Sequence, residues 1–185
     1  MRGDEVLGAA RAALTRLVVD VPDYPEPGIV FKDIAPLLGD PEGFAAVVAA
    51  LADAGRDADG NVVVDKVAGM EARGFILAAP VALALGVGFV PVRKVGKLPR
   101  ATHAVSYALE YGEATLEVHQ DAFAEGQRVL VVDDVLATGG TAIAALDLIE
   151  QAGGTVAGFS VLMELGFLDG RQRLAPRTVH ALLTV

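Results

Sequence analysis

Cysteine is absent from the 185-residue chain. That excludes a disulfide-stapled scaffold, a thiolate metal site and a cysteine nucleophile. It also suits a reducing compartment, so the expected location is the cytoplasm. Basic residues are in the minority: 15 Lys and Arg stand against 24 Asp and Glu, a formal net charge of −9. A general nucleic-acid binder carries the opposite balance, and no nucleic-acid partner is expected. The opening MRGDEVLGAARAAL has early acids and no unbroken apolar core, so it does not read as a signal peptide. No G-x-x-x-x-G-K-[ST] occurs, which excludes a P-loop. The nearest dinucleotide-type glycines, Gly86 and Gly88, lack a third because Pro91 stands in its place. His119 and His180 read as strand residues, and nothing in the histidine spacing suggests a metal site.

What is present is a core. Hydrophobic residues make up 53% of the chain and charged residues 21%, enough to bury a full interior. At roughly 100–200 residues per domain the expectation is one domain, 1–185. One stretch, Gly74 to Val92, runs nineteen residues without a charge, long enough for a membrane span. Prolines and glycines interrupt it, and a buried helix, a Gly-Val-Gly turn and a buried strand fit it better. No membrane partner is expected.

Periodicity places Val6, Leu7, Ala10, Leu14 and Leu17 on one face of a helix over 4–17. VPDYPEPGIVFKDIAPLLGD, 21–40, is too long for a connector and reads as an ordered loop. Asp40-Pro41 opens a helix whose buried stripe is Phe44, Val47, Val48 and Leu51. Strands are expected at 61–67, 87–92, 115–119, 127–135 and 155–163, with a weaker one in TVHALLTV at the end. Helices are expected near 74–85 and over 140–152, the latter stopped by Gly153-Gly154. Residues 93–114 show no clear period and read as a long, partly extended excursion. Strands alternating with helices argue for an α/β fold with a mostly parallel twisted sheet flanked by helices.

The segment with the most chemistry is VLVVDDVLATGGT, Val129 to Thr141. Its apolar run delivers a buried strand to the carboxyl edge of the sheet, where ligands bind in open α/β folds. Asp133 and Asp134 stand where that strand is expected to end. Ala137, Thr138, Gly139, Gly140 and Thr141 then turn directly into a helix. Converging backbone N–H groups, the helix N-terminus and two threonine hydroxyls suit a phosphate monoester. The adjacent carboxylates suit the vicinal hydroxyls of a sugar. The segment therefore reads as a cradle for ribose 5-phosphate. Arg73 follows a strand and offers a planar fork of donors to phosphate oxygens. Arg93, Lys94, Lys97 and Arg100 concentrate four of the fifteen basic residues within eight positions. Such a cluster can attract a polyanion, or simply be a solvated loop.

VVDDVLATGGT resembles the phosphoribosyl-diphosphate motif of the type I phosphoribosyltransferases. PEPGIVFKDIAPLLGDP, GMEARGF, RKVGKLP, YALEYGEATLEVHQDA and LDGRQRLAP follow in the order of the adenine-specific branch and cover most of the chain from about residue 20 to 176. The resemblance implies transfer of phosphoribosyl from 5-phosphoribosyl 1-diphosphate to adenine, giving AMP and pyrophosphate, with Mg²⁺ held mainly by substrate. It assigns Glu71, Ala72, Arg73, Arg93, Lys94 and Lys97 to pyrophosphate, and Asp133 and Asp134 to the ribose hydroxyls. Glu110 becomes the acid/base, beside Tyr111 on a mobile loop, where composition alone reads a surface glutamate. Val30, Phe31 and Leu165, otherwise ordinary core residues, would line adenine in a hood built from about 20–40 and the segment after 163. His103 departs from the commoner residues at its loop position. A homodimer is expected. Two rivals stay open: a transferase for a 6-oxopurine or another base, and a non-catalytic nucleotide-sensing regulator. The latter would need more than the roughly twenty residues ahead of the loop for a helix-turn-helix domain.

Overall fold

The first helix is amphipathic, with Asp4 and Glu5 in its first turn and Arg16 in its last, charges that oppose the helix dipole. In the computed structural model, which describes residues 2–108 and 112–185, it is α1, Arg2–Leu17. Ala10, Ala13 and Leu14 are its fully buried positions. Val6, Leu7 and Leu17 are half-buried. The chain divides into two units, Met1–Ala50 and Leu51–Val185.

Within the first unit, the expected loop over 21–40 contains regular structure. β1 (Val19–Pro22) and β2 (Val30–Asp33) form an antiparallel ribbon, with Val19 opposite Asp33 and Pro22 opposite Val30. Asp23, at φ 55°, accepts the Gly28 N–H at 2.8 Å and draws the connection together. The Tyr24 ring meets Phe31 edge-on at 5.2 Å. These strands were hidden because prolines and turn residues outnumber the strand formers. α2 (Ala35–Gly39) follows, with the Asp33 carboxylate accepting the Ala35 N–H at 2.9 Å. α3 (Pro41–Asp53) starts as expected, Asp40 accepting the Gly43 N–H at 3.1 Å.

The second unit is built on a sheet. Its strands are β3 (Lys66–Met70), β4 (Gly88–Lys94), β5 (Thr102–Ala108), β6 (Glu113–His119), β7 (Arg128–Leu136), β8 (Thr155–Glu164) and β9 (Val179–Thr184). Among the described residues these seven lie in the order β5-β6-β4-β3-β7-β8-β9. The five from β4 to β9 are mutually parallel, and β6 runs antiparallel to both β4 and β5. α4 (Arg73–Leu85) packs on β3 and β7; α5 (Gly140–Gln151) packs on β5, β6 and β8. Val129 and Val131 join the apolar cluster around α5, while the equally buried Leu130 and Val132 lie outside it. Both faces of β7 are thus covered, the reason its sequence is continuously apolar.

Two expectations change. The run NVVVDKV is not a strand over 61–67. Val62 makes one isolated bridge to Arg56, and the ladder begins only at Lys66, opposite Gly88 and Val129. Asp57 takes the N–H groups of Asp59 and Asn61, and Arg128 grips Asp65, so these residues belong to a side-chain-braced loop. The excursion 93–114 contains β5 and the start of β6, a hairpin whose register pairs Thr102 with His119 and Ala108 with Glu113. The uncharged stretch becomes α4, a left-handed Gly86 at φ 69° and β4. No described helix is long and apolar enough to cross a membrane.

Candidate active site

β3 stops pairing with β7 at Gly69 opposite Val132, whereas β8 continues alongside to Leu136 opposite Glu164. Asp133 and Asp134 therefore lie inside β7, three and two residues short of its end. One flank is paired and the other is open at the carboxyl edge. Asp134 is buried, and its Oδ2 stands 2.8 Å from Nε of Arg73, the first residue of α4. Asp133 is partly buried with its carboxyl against Gly74. A Cβ there would meet Oδ1 of Asp133 at 2.9 Å and the Val132 carbonyl at 3.0 Å, so only glycine lets α4 start this close to β7. Burial, and then the neighbouring Asp134 charge, push the Asp133 carboxyl well above the usual carboxylate range, and Arg73 offsets part of this.

Past Leu136 the chain turns through Ala137, Thr138, Gly139, Gly140 and Thr141 into α5. Gly139 is the N-cap at φ 84°, so no side chain caps the helix, and its first N–H groups face the turn. The segment after β8 braces this loop. Gly170 begins α6 (Gly170–Leu174), and a Cβ on it would collide with the Ala137 carbonyl oxygen. Arg173 donates to the Thr138 carbonyl at 2.8 Å. Leu165 donates its N–H to Leu136 at 2.9 Å, which brings it to the same edge.

The third element is the turn after β3. The Glu71–Ala72 peptide is cis. The Glu71 carboxylate accepts the Lys94 N–H at 2.9 Å and faces Arg93 at 3.4 Å. The Lys94 N–H first, and then Arg93, outweigh burial and hold Glu71 below its usual range. The Arg93 guanidinium lies 5.9 Å from the Phe75 ring centre and donates to the Lys97 carbonyl at 3.2 Å. Lys94 and Lys97 are exposed.

The structure gathers Glu71, Ala72, Arg73, Asp133, Asp134, the 137–141 turn and Leu165 around the carboxyl ends of β3 and β7, with Arg93 and Lys94 at the end of β4. Val30 and Phe31 belong to the first unit, Val30 exposed and Phe31 half-buried. Glu110 and Tyr111 lie outside the described residues. His103 sits in β5 opposite Val118.

Three residues at the site escaped sequence reasoning. Glu117 on β6 is 3% exposed and accepts the N–H groups of Lys97 and Leu98, each at 2.9 Å, and the Thr102 hydroxyl at 3.3 Å. Burial alone would raise its carboxyl; those donors together hold it below the usual range. Tyr107 on β5 meets Thr141 of the 137–141 turn. Arg173 is the third. An alternating strand hides Glu117, since Leu116, Glu117 and Val118 are all buried. No spacing rule links Tyr107 or Arg173 to the 137–141 turn.

This arrangement has relatives. The model of the phosphoribosyl transferase domain matches residues 37–181. The chain is 66% identical to the adenine phosphoribosyltransferase of a Nocardioides species over 99% of its own length and 98% of that protein's. It superposes on crystallised adenine phosphoribosyltransferase from Rhodothermus marinus with a TM-score of 0.87 at 50% identity, over 96% of this chain and 99% of the other. The Saccharomyces cerevisiae enzyme, complexed with an imino-altritol bisphosphate and adenine, gives 0.89 at 39% identity, over 95% and 99%. The chain belongs to the phosphoribosyltransferase family, in its adenine phosphoribosyltransferase branch.

Proposed function

We propose that the chain transfers the 5-phosphoribosyl group of 5-phosphoribosyl 1-diphosphate to N9 of adenine, releasing AMP and pyrophosphate and so salvaging free purine. The observation that carries this reading is the edge where Asp133 and Asp134, the uncapped start of α5 and Arg73, 2.8 Å from Asp134, converge. The 137–141 turn anchors the 5-phosphate through backbone N–H groups, and Asp133 and Asp134 accept the ribose hydroxyls. Arg73, Arg93, Lys94 and Lys97 receive the charge on the departing pyrophosphate, with Glu71 and Ala72 shaping the turn that presents Arg73. N9 forms its bond to the anomeric carbon as the bond from that carbon to pyrophosphate breaks, and the ring turns cationic between the two. The carboxylates beside it favour that charge.

Glu110 takes the N9 proton by the family resemblance. By the same resemblance Val30 and Phe31, from a hood of about 20–40, and Leu165, from the segment after 163, are the residues assigned to the base, and 1–185 is read as one domain. Asp133 and Asp134 fit a magnesium ion, being adjacent hard oxygen donors at the open flank of β7. They would hold it through its waters, with substrate oxygens supplying the inner contacts. When bound it neutralises diphosphate charge. A homodimer in the cytoplasm completes the proposal.

The test mixes the protein with Mg²⁺, 5-phosphoribosyl 1-diphosphate and one purine at a time. AMP and pyrophosphate are expected with adenine. Product with hypoxanthine, guanine or xanthine instead would favour a 6-oxopurine enzyme, and no pyrophosphate with any base would favour a sensor.

A further inference from the structure

Tyr107 lies on β5, far in sequence from the phosphate turn, and its ring is packed against the apolar cluster around α5. That packing aims its phenol at the start of α5, where the Thr141 hydroxyl donates to it at 3.3 Å. The strand holding Tyr107 is itself paired. Tyr107 pairs with Ala114 across the strands, and the neighbouring Ser106 and Thr115 hydroxyls share a hydrogen bond of 2.8 Å. The chain between β5 and β6 contains Glu110.

We infer that Tyr107 is a positioning residue for the transfer reaction, coupling the β5–β6 hairpin to the 5-phosphate through the Thr141 hydroxyl; this rests on the functional reading above. The chemistry follows from counting hydrogens. Thr141 has one hydroxyl hydrogen, and in the structure Tyr107 receives it. A phosphate dianion is a stronger acceptor than a phenol oxygen. With the 5-phosphate in the turn, Thr141 donates to it, and the Tyr107 phenol, which has kept its own hydrogen, donates to Oγ1 of Thr141. The bond reverses direction and becomes one link in a chain from phenol to hydroxyl to phosphate. Each link in such a chain polarises the next, so the bond tightens from its long separation when the anion arrives. Occupancy of the phosphate turn thereby holds the hairpin against α5.

The test is Tyr107→Phe, which keeps the packed ring and deletes the phenol. Its kcat/KM for 5-phosphoribosyl 1-diphosphate should fall roughly 3–10-fold, the range of one neutral hydrogen bond, while the KM for adenine changes less than twofold. Combined with Thr141→Val, the Tyr107→Phe change should cost less than twofold, because its partner is already gone. Amide exchange of 102–119 should slow when ribose 5-phosphate is added to the parent protein and not when it is added to Tyr107→Phe. Equal costs of Tyr107→Phe with and without Thr141→Val, or equal slowing of exchange in both proteins, would overturn the inference alone. No calorimetric binding of ribose 5-phosphate to the parent protein would overturn the functional reading, and the inference with it.

Discussion

Nε of Arg73 and Oδ2 of Asp134 stand 2.8 Å apart, so the arginine assigned to pyrophosphate already balances a buried carboxylate assigned to ribose. Under the proposed function, this pair would link the pyrophosphate and ribose ends of the substrate electrostatically. Arg73→Ala removes a proposed pyrophosphate donor, takes the ion-pair partner from Asp134, and takes from Asp133 the charge that offsets part of its raised proton affinity. The kcat/KM for 5-phosphoribosyl 1-diphosphate should fall about 100-fold or more, since a charge-assisted hydrogen bond is worth about 1.5–3 kcal/mol and two roles are lost. Arg73→Lys should recover only part, lacking the planar fork. Steady-state kinetics at saturating adenine measure both, and unchanged turnover in Arg73→Ala would sink the assignment.

Asp133 is held with a raised proton affinity, and the sign of its effect on stability follows. Between the ordinary carboxylate value and the raised native one, the native state binds more protons than the unfolded chain. Stability therefore falls as pH rises through that window. Asp133→Asn removes the penalty. Without ligand its melting temperature should exceed the parent's at pH 7–8 by about 2–4 °C for each 1 kcal/mol relieved. The gain should vanish as pH drops to the ordinary carboxylate range, while turnover is lost at every pH.

Glu117 behaves oppositely. Its carboxyl is held low, so the stability it contributes is present above the ordinary carboxylate value and is lost as pH falls through the native one. Glu117→Ala removes the acceptor shared by the Lys97 and Leu98 N–H groups and the Thr102 hydroxyl, at about 0.5–1.5 kcal/mol for each part-buried hydrogen bond lost. The loop bearing Lys97 should loosen, raising the KM for 5-phosphoribosyl 1-diphosphate about tenfold with little change for adenine. Glu117→Gln, which keeps one acceptor, should fall between. Denaturant titrations at pH 7 and pH 4, beside the kinetics, separate the effects.

Gly170→Ala tests the brace behind the phosphate turn. Its new Cβ meets backbone, the Ala137 carbonyl, together with Leu136 Cδ1 at 3.0 Å, so the turn itself must shift. Calorimetry should show AMP affinity reduced at least tenfold. Gly8→Ala on α1 is the control: nothing lies within 4 Å of its Cβ, and it should add up to about 1 kcal/mol of helix stability with unchanged affinity.

Much of this was legible without coordinates. The run Val129 to Val132, buried on both faces, could only be an interior strand, and glycines after it could only be a turn into α5. Asp40-Pro41 marked the start of α3 by local hydrogen bonding alone. The misreadings have one origin. Val62 to Val64 have the β-branched character of a strand, yet strand identity needs a partner, and the ladder reaches only Lys66. The excursion 93–114 looked irregular because β5 too is defined by its partner: its residues are half-buried or exposed, so no buried apolar stripe marks it before β6 pairs with it.

Determined by the sequence alone were the α/β class and the residue types of the strand and turn from Val129 to Thr141, because periodicity, capping and turn formation are short-range effects. Tertiary structure decided that Arg73 answers Asp134, that Glu117 holds the basic loop, and that Tyr107 and Arg173 reach the 137–141 turn. Each of these joins residues that are distant in the chain. Their energies depend on burial and on angstrom-scale distance, and neither quantity exists until the sheet has formed.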